Sequence, residues 1–599
     1  IVDMNDANQK DLVTIFADMV DKKGNLPFLW EKKSGHWISQ SWRATADLVV
    51  SLAEGLQRDG LAFGDRVMLV SESRKEWPSV DLAIMAAGGI TVPAYTTNYE
   101  NEHLHVLEDC EANWIIVSNQ SLLDRVLPAA ERSLKAKKIL VLDEFTPPES
   151  DLEIVRIETI LTEVDGNSTD KLRAMSKNLT GKSIACLIYT SGTGGTPKGV
   201  ICQHAGIMSN CRDASRILAQ MGLDDEVFLS FLPLSHSYEH TAGQFWPISI
   251  GAQIYYAESI DKLASNMQEV RPTLMSAVPR LYESMRDRIL RGVKQQSQLK
   301  AYLFHQTISL GQKKFEGKSL TAFEKFQDMV LEKLVRTKVA DRFGGRLKAF
   351  ISGGAPLNYE VGMFFTGLGI RLLQGYGQTE SGPVISVNPP TGYRIDSVGI
   401  PFSEAEVKIA NDGEILVKGD LVMQGYWGQE AATSETIVDG WLHTGDVGVI
   451  DPDGHIRITD RKKDIIVNSG GDNISPQRVE GFLVAEPEIH QAMVYGDKRP
   501  HLVALLIPDT DFVREWSESN LSHPEDLSNL MANPQFRAAM GRVLERVNSQ
   551  LNPIERVRRF VLSSEELTIE NEMMTPTLKI RRHIVRENFS DQLEALYGS

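Results

Sequence analysis

Two things are scarce in this chain: cysteine and positive charge. Its 599 residues hold four cysteines, Cys110, Cys186, Cys202 and Cys211. None forms a CxxC pair and no histidine pattern accompanies them, so neither a zinc site nor a disulfide scaffold is indicated. Reduced thiols with a packing role, in a cytoplasmic protein, are the expectation. Sixty-three Lys and Arg stand against 80 Asp and Glu, a formal net charge of −17. So acidic a chain argues against nucleic acid as the main partner. It also means that any site for a polyanion must gather its cations locally. No apolar stretch approaches the ~20 residues needed to span a bilayer, which leaves only peripheral membrane contact open. Internal repeats and low-complexity tracts are missing too. The chain begins at Ile1 rather than Met, which leaves open an N-terminal segment removed beforehand. Oligomeric state is not legible at this level.

What is present is a globular composition, 42% hydrophobic and 24% charged. The length exceeds one ordinary core and predicts two or more domains. Short apolar strands alternate with helical patterns in the first part: residues 65–70, 114–117, 139–142, 228–232, 253–256, 274–278 and 347–352. Such alternation predicts parallel α/β layers. Between about 282 and 345 the pattern turns to long helix, with Phe323, Phe326, Val330 and Leu334 at spacings of three and four. We read this as a helical insertion in the α/β domain. From about Val398 the chain becomes β-rich, with turns at Asn411-Asp412-Gly413, Asp439-Gly440 and Asp451-Pro452-Asp453-Gly454. A charged link, 461–464, then precedes a fresh strand at Ile465. The expected architecture is therefore a large multi-layer α/β domain with a β-rich subdomain over 1–460, and a small mobile α+β domain over 465–599. Ser475-Pro476 reads as an N-cap followed by Pro at the first helical position.

The most informative segment is Tyr189-Thr190-Ser191-Gly192-Thr193-Gly194-Gly195-Thr196-Pro197-Lys198-Gly199-Val200. An apolar run, 184–188, leads into a hydroxyl- and glycine-rich loop that ends in a lysine. Glycines let backbone N–H groups approach a phosphate, hydroxyls add donors, and Lys198 adds charge. An exposed turn is the competing reading of the glycines alone. A Walker-type loop needs Gly-Lys followed by Ser or Thr. Lys198 lies between Pro197 and Gly199, which argues against a P-loop NTPase.

Four further segments follow in order: Ser352-Gly353-Gly354-Ala355-Pro356, Gln374-Gly375-Tyr376-Gly377-Gln378-Thr379-Glu380, Trp441-Leu442-His443-Thr444-Gly445-Asp446 and Thr575-Pro576-Thr577-Leu578-Lys579-Ile580-Arg581-Arg582. Read alone, these are a strand-to-helix turn, a solvated Glu, a turn-forming Asp and a surface lysine. A glycine-flanked tyrosine such as Tyr376 also offers an exposed flat surface on which a purine can stack. Together with the loop, the set resembles the adenylate-forming superfamily: acyl-CoA synthetases, luciferases and peptide-synthetase adenylation domains. The resemblance runs from residue 184 to 582 and is expected to extend to the whole chain. It departs from the family at Gly194, where a second Thr is usual, and at Leu578, where most relatives have Gly before the lysine. The latter variant is familiar in the long-chain branch.

The resemblance implies roles residue by residue. Thr190 to Thr196 with Lys198 would hold the phosphates of ATP, and Gly353 to Pro356 would lie against adenine. Asp446 would accept from the ribose hydroxyls and Arg461 would add a donor. Glu380 and Thr193 would hold Mg²⁺. Lys579 would be the catalytic lysine, Lys463 the hinge, and Ser469-Gly470-Gly471 a loop on the coenzyme A side. Leu232-Pro233-Leu234-Ser235-His236, Arg271-Pro272-Thr273, Val278-Pro279-Arg280-Leu281-Tyr282-Glu283 and the helical insertion resemble long-chain fatty acyl-CoA synthetases. His236 would line the acyl entrance with Val278 and Pro279; a buried structural histidine is the competing reading. The implied activity is fatty acid activation by ATP to acyl-AMP, then transfer to coenzyme A. The alternatives are a ligase for medium-chain or aromatic acids, acyl transfer to a carrier protein, and an inactive nucleotide-binding homologue with Gly194 as its symptom. No carrier segment with a Gly-Asp-Ser-Leu-like attachment site is present in cis.

Overall fold

The computed structural model describes residues 11–190, 196–470, 472–575 and 579–598. Among them, two large sheets dominate. One has seven strands in the order 153–156, 138–141, 114–117, 66–70, 90–94, 184–190, 198–203. All neighbours in it are parallel except the last pair, an antiparallel hairpin. The other has nine strands, in the order 400–401, 384–387, 372–377, 349–352, 274–277, 227–230, 253–256, 27–33, 36–41, parallel inside and antiparallel at both edges.

The inner strands of the seven-stranded sheet, 66–70, 90–94, 114–117, 138–141 and 184–190, are buried on both faces, as parallel strands require. Val67 and Leu69 join the largest apolar cluster, while Met68 and Val70 join a second one on the opposite face. That largest cluster takes residues from both sheets and from the helices Leu12–Lys23, Trp42–Arg58, Glu76–Ala86 and His204–Leu218. These helices thus form a layer shared by the two sheets. The helices Glu100–Asp109 and Gln120–Arg132 cover the outer face of the seven-stranded sheet.

The outer face of the nine-stranded sheet is covered by helix Tyr359–Gly367 and by the helical segment. The latter consists of Pro279–Lys294, Gln298–Phe315, Ala322–Leu331, a π-helical turn Glu332–Arg336 and Thr337–Arg342. Its stripe behaves otherwise than its period implies. Phe323, Phe326 and Leu334 remain 72%, 60% and 47% exposed, whereas Asp328 and Leu331 on the opposite side are buried. The helix packs through its ion-paired side and shows its apolar side to water.

Residues 406–461 form a five-stranded antiparallel sheet. Asp439 and Gly440, with φ of +52° and +78°, make the two-residue turn that pairs Val438 with Trp441. Beyond it, the strands Ile489–Tyr495, Leu502–Pro508 and Val557–Leu562 carry their own helices and two apolar clusters, which hold only residues from 466 onward. Ser475 caps helix Pro476–Val484 by accepting from Arg478 N. Among the described residues no helix is long and apolar enough to cross a membrane.

Candidate active site

The sequence segments singled out above converge because parallel strands present their carboxyl ends on one side of a sheet, where ligands of such folds sit. Strand Ile184–Thr190 runs into the glycine-rich loop, and its return strand starts at Lys198, whose Cα is the register partner of Thr190. Strand Ala349–Ser352 ends at Gly353, and strand Leu372–Gly377 carries Gly375 and Tyr376. Ser191, Gly192, Thr193, Gly194, Gly195 and Gly471 lie outside the described residues.

A cleft of about 840 Å³ collects Thr190, Thr196, Lys198, Gly353, Gly354, Gly375, Tyr376, Gly377, Gln378, Thr379, Glu380, Arg461, Lys463 and Lys579. Asp446 is not part of the wall itself; it lies buried behind the lining residues Tyr376, Gly445 and Arg461, with both oxygens oriented. Tyr376 donates its hydroxyl to Oδ2 at 2.7 Å and Arg461 Nε donates to Oδ1 at 2.8 Å. A carboxylate so fixed keeps lone pairs for further donors, such as a pair of ribose hydroxyls. The tyrosine corrects one expectation: it is 8% exposed, not an open surface, and presents only part of its ring to the cleft. Burial, then the charge of Asp446, holds its phenol well above the usual range. It is therefore a permanent donor to Asp446.

Lys579 reaches the cleft from the small C-terminal unit. Thr575 N donates to Lys579 O at 2.8 Å, and Lys579 N donates to Thr575 Oγ1 at 3.0 Å, which pins the backbone at the lysine. Its side chain is ringed by protein yet faces the open volume of the cleft, so water reaches it. The enclosing protein, and next the guanidinium of Arg461, lower its ammonium to about 8, against the pull of Asp446 and Glu380. An anion entering the cleft would meet Lys579, Arg461 and Lys198 together. This is the local gathering of cations that an acidic chain needs.

Tyr426 was not found by sequence reasoning. Its hydroxyl donates to Glu380 Oε1 at 2.9 Å, and Lys198 Nζ sits 4.9 Å from its ring centroid. It thereby ties the loop lysine to the carboxylate. The available signal was the same that marked Tyr376, a tyrosine following a glycine in a turn; Gly425 has φ +153°. Among the described residues no three His, Cys, Asp or Glu gather as a metal cage. Glu380, with one oxygen free of Tyr426, fits Mg²⁺ that arrives on the phosphates of ATP, the usual manner for this ion.

A second cavity, about 950 Å³, adjoins the cleft and is mostly apolar. His236, Tyr238 and Gly354 line both. His236 Nδ1 accepts from Tyr238 N at 3.2 Å, which leaves the ring proton on Nε2. Burial, then the nearby charge of Lys579, lowers His236 to about 4, so the imidazole is neutral at ordinary pH. Val278 lines the second cavity, but Pro279 is the buried first residue of helix Pro279–Lys294 and is not part of the wall. Ala355 and Pro356 also stand outside the cleft wall, and Gln374 turns its amide to the carbonyls of Ile395 and Ser397. Ser469 and Gly470 lie away from the cleft in the C-terminal unit, where Ser469 N donates to Arg499 O.

Comparison with known proteins gives the same picture. The long-chain-fatty-acid–CoA ligase FadD15 of Mycobacterium bovis is 30% identical over 571 residues, covering 94% of this chain and 93% of that protein. Peroxisomal long chain acyl-CoA synthetase 6 of Arabidopsis thaliana is 30% identical over 588 residues, covering 94% of this chain and 81% of the other. Among solved structures, the anthranilate CoA ligase AuaEII in complex with anthranoyl-AMP shares the fold with a TM-score of 0.73 at 19% identity, over 98% of both chains. The A-PCP didomain of a carboxylic acid reductase from Segniliparus rugosus in complex with AMP gives 0.74 at 19%, covering 98% of this chain and 82% of that one. The family model for AMP-binding enzymes matches residues 16–427, and the model for their C-terminal domain matches 463–599. Cleft, lysine-bearing C-terminal unit and sequence agree, and the chain belongs to the AMP-binding enzyme family.

Proposed function

We propose that this chain is a long-chain fatty acid–CoA ligase. The observation that carries this reading is the junction at His236, Tyr238 and Gly354. There a large apolar cavity opens into a polar cleft that holds Lys579 and Lys198. A fatty acid laid along the cavity would bring its carboxylate to that junction. Each CH₂ buried there contributes roughly 0.8 kcal/mol, so the cavity rewards length. The Nε2–H of neutral His236 would donate to the acid or to a phosphoryl oxygen.

In the first half-reaction a carboxylate oxygen attacks the α-phosphorus of ATP. The new O–P bond gives acyl-AMP, and the bond to pyrophosphate breaks. No protein nucleophile is needed, because the carboxylate is one already. Negative charge grows on the α-phosphoryl oxygens and on the departing pyrophosphate, where Lys579 and Lys198 stabilise it. Glu380 would hold Mg²⁺ that arrives with ATP, and the ion would supply further charge neutralisation. Tyr376 and Arg461 hold Asp446 ready for the ribose. In the second half-reaction the thiol of coenzyme A attacks the acyl carbon, loses its proton, and the bond to AMP breaks. Lys579 occupies the cleft in this arrangement, and Ser469 and Gly470 do not, so the present state is the one suited to adenylation. We assign the change of state to rotation about residues 461–464.

The test is release of pyrophosphate and AMP with a panel of carboxylic acids, with and without coenzyme A. The expected result is pyrophosphate formation that rises with chain length, and AMP release that needs coenzyme A. A preference for aromatic or short acids would overturn the long-chain assignment, and coenzyme A-independent product would overturn the thiol acceptor.

A further inference from the structure

The helical segment over 279–342 departs from the rest of the chain in charge. It holds fourteen Lys and Arg against seven Asp and Glu, within a chain of net charge −17. Its free charge is more one-sided still. Glu324 is paired with Lys313, Asp328 with Lys314 and Arg336, and Glu332 with Arg336. Lys325, Lys333, Lys338 and Arg342 are exposed and form no ion pair among the described residues. Beside these cations stand the exposed apolar residues Phe323, Phe326, Met329 and Leu334, at 72%, 60%, 60% and 47% exposure. Aromatic and aliphatic side chains on one helix side, flanked by unpaired lysines, are the composition of an interfacial helix rather than of a core helix.

The position of this face matters as much as its chemistry. Leu334, Lys338 and Arg342 also line the apolar cavity, together with Lys300. The exposed stripe therefore runs to the mouth through which the acyl cavity reaches solvent. We infer that the face around Phe323, Phe326 and Met329 docks on an anionic lipid bilayer, with the cavity mouth against the surface. The partner is anionic lipid because the unpaired charge beside the apolar stripe is mostly positive, four cations against the exposed carboxylate of Asp341, while the remainder of the chain is strongly negative and would be repelled. A fatty acid could then pass from the bilayer to the cavity with little of its chain crossing water, its carboxylate drawn by Lys338 and Arg342. This last step rests on the acyl reading of the cavity; the docking itself does not.

The experiment is co-sedimentation of the full chain with vesicles of phosphatidylcholine alone and of phosphatidylcholine mixed with phosphatidylglycerol, at low and high salt. Two surface variants accompany it, Phe323→Ser/Phe326→Ser and Lys325→Gln/Lys333→Gln, and light scattering records the oligomeric state of each. The wild type should bind the mixed vesicles, bind phosphatidylcholine weakly, and lose binding as salt rises. Each variant should lower the bound fraction by about tenfold or more, given what each cation contributes near a charged surface. Activity of both variants on a water-soluble acid should match wild type. Equal binding to both vesicle types, no binding, or variants that bind like wild type would overturn the proposal. A dimer that the phenylalanine variant dissociates, without vesicle binding, would instead assign the face to a second copy of the chain. Vesicle binding as expected, with no turnover of long-chain acids, would leave the docking standing and remove the functional reading.

Discussion

Lys579 is surrounded by groups that pull its proton affinity in opposite directions. Enclosure by protein and Arg461 lower it to about 8; Asp446 and Glu380 resist. If its charge stabilises the departing pyrophosphate, only the ammonium form of the free enzyme is competent. The sign follows directly: the fraction charged falls as pH rises through the lowered value. We expect kcat/KM for ATP to decline above about pH 8, far below the range of an ordinary lysine near 10.4. Lys579→Ala should slow acyl-adenylate formation by about 10²–10³-fold, comparable to losing one transition-state donor, and should abolish that alkaline limb. Thioester formation from pre-made acyl-AMP should largely survive. Equal losses in both half-reactions, measured separately by pyrophosphate exchange and by thioester release, would remove the assigned role.

At the scale of elements, the sequence located strands well and covering poorly. Apolar runs such as 114–117 and 253–256 matched observed strands residue for residue, because short strands inside a parallel sheet, buried on both faces or half-buried on one, leave little ambiguity. The site segments were legible because glycines and carboxylates at strand ends have few other uses together. The stripe of Phe323, Phe326 and Leu334 was legible as one side of a helix, but spacing does not say what covers a side. Here nothing among the described residues does. Tyr376 shows the same limit, since flanking glycines announce a turn and not the burial of the ring between them. Tyr426 was missed because its partner, Glu380, is 46 residues away. One glycine shows how tightly the element ends are fitted. A Cβ on Gly353 would lie 2.9 Å from Cζ of Tyr238 and 3.2 Å from Cε1 and Cε2, against a ring that walls both cavities. Tyr238 is held by its hydroxyl to Ile351 O and has little room to retreat. Gly353→Ala should therefore cost about 1–3 kcal/mol as overpacking, seen as a lower Tm and as weaker binding of both ATP and acid. A change confined to ATP would mean that the ring does not couple the two cavities.

The whole molecule is held in its present arrangement by a small set of contacts between the C-terminal unit and the rest. Arg280, which lines the apolar cavity, donates to His490 O at 3.1 Å. Tyr99 donates to Glu570 O, Asn358 donates to Gly481 O, and Arg291 pairs with Asp511. Most are exposed or half-exposed polar contacts, each worth little alone, as the proposed rotation of this unit would require. The chain between the two units is short. Lys462 is tied to the β-rich sheet through its N–H to Gly445 O and its ammonium to Asp412 and Glu414, while Asp464 N and Ile465 N turn back to Arg461 O. Lys463 stands between these anchors, and its N–H makes no backbone bond among the described residues. A proline there would remove no hydrogen bond but would fix φ near −65° and restrict Lys462 before it. Lys463→Pro should therefore leave the fold and Tm nearly unchanged while blocking rotation between states. One half-reaction should be retained and the other lost, as measured by pyrophosphate exchange and by coenzyme A-dependent consumption of acyl-AMP. Unchanged rates in both would place the pivot elsewhere in the link. Loss of both with a normal Tm would mean that Lys463, which lines the cleft, acts on bound substrate and not as a hinge.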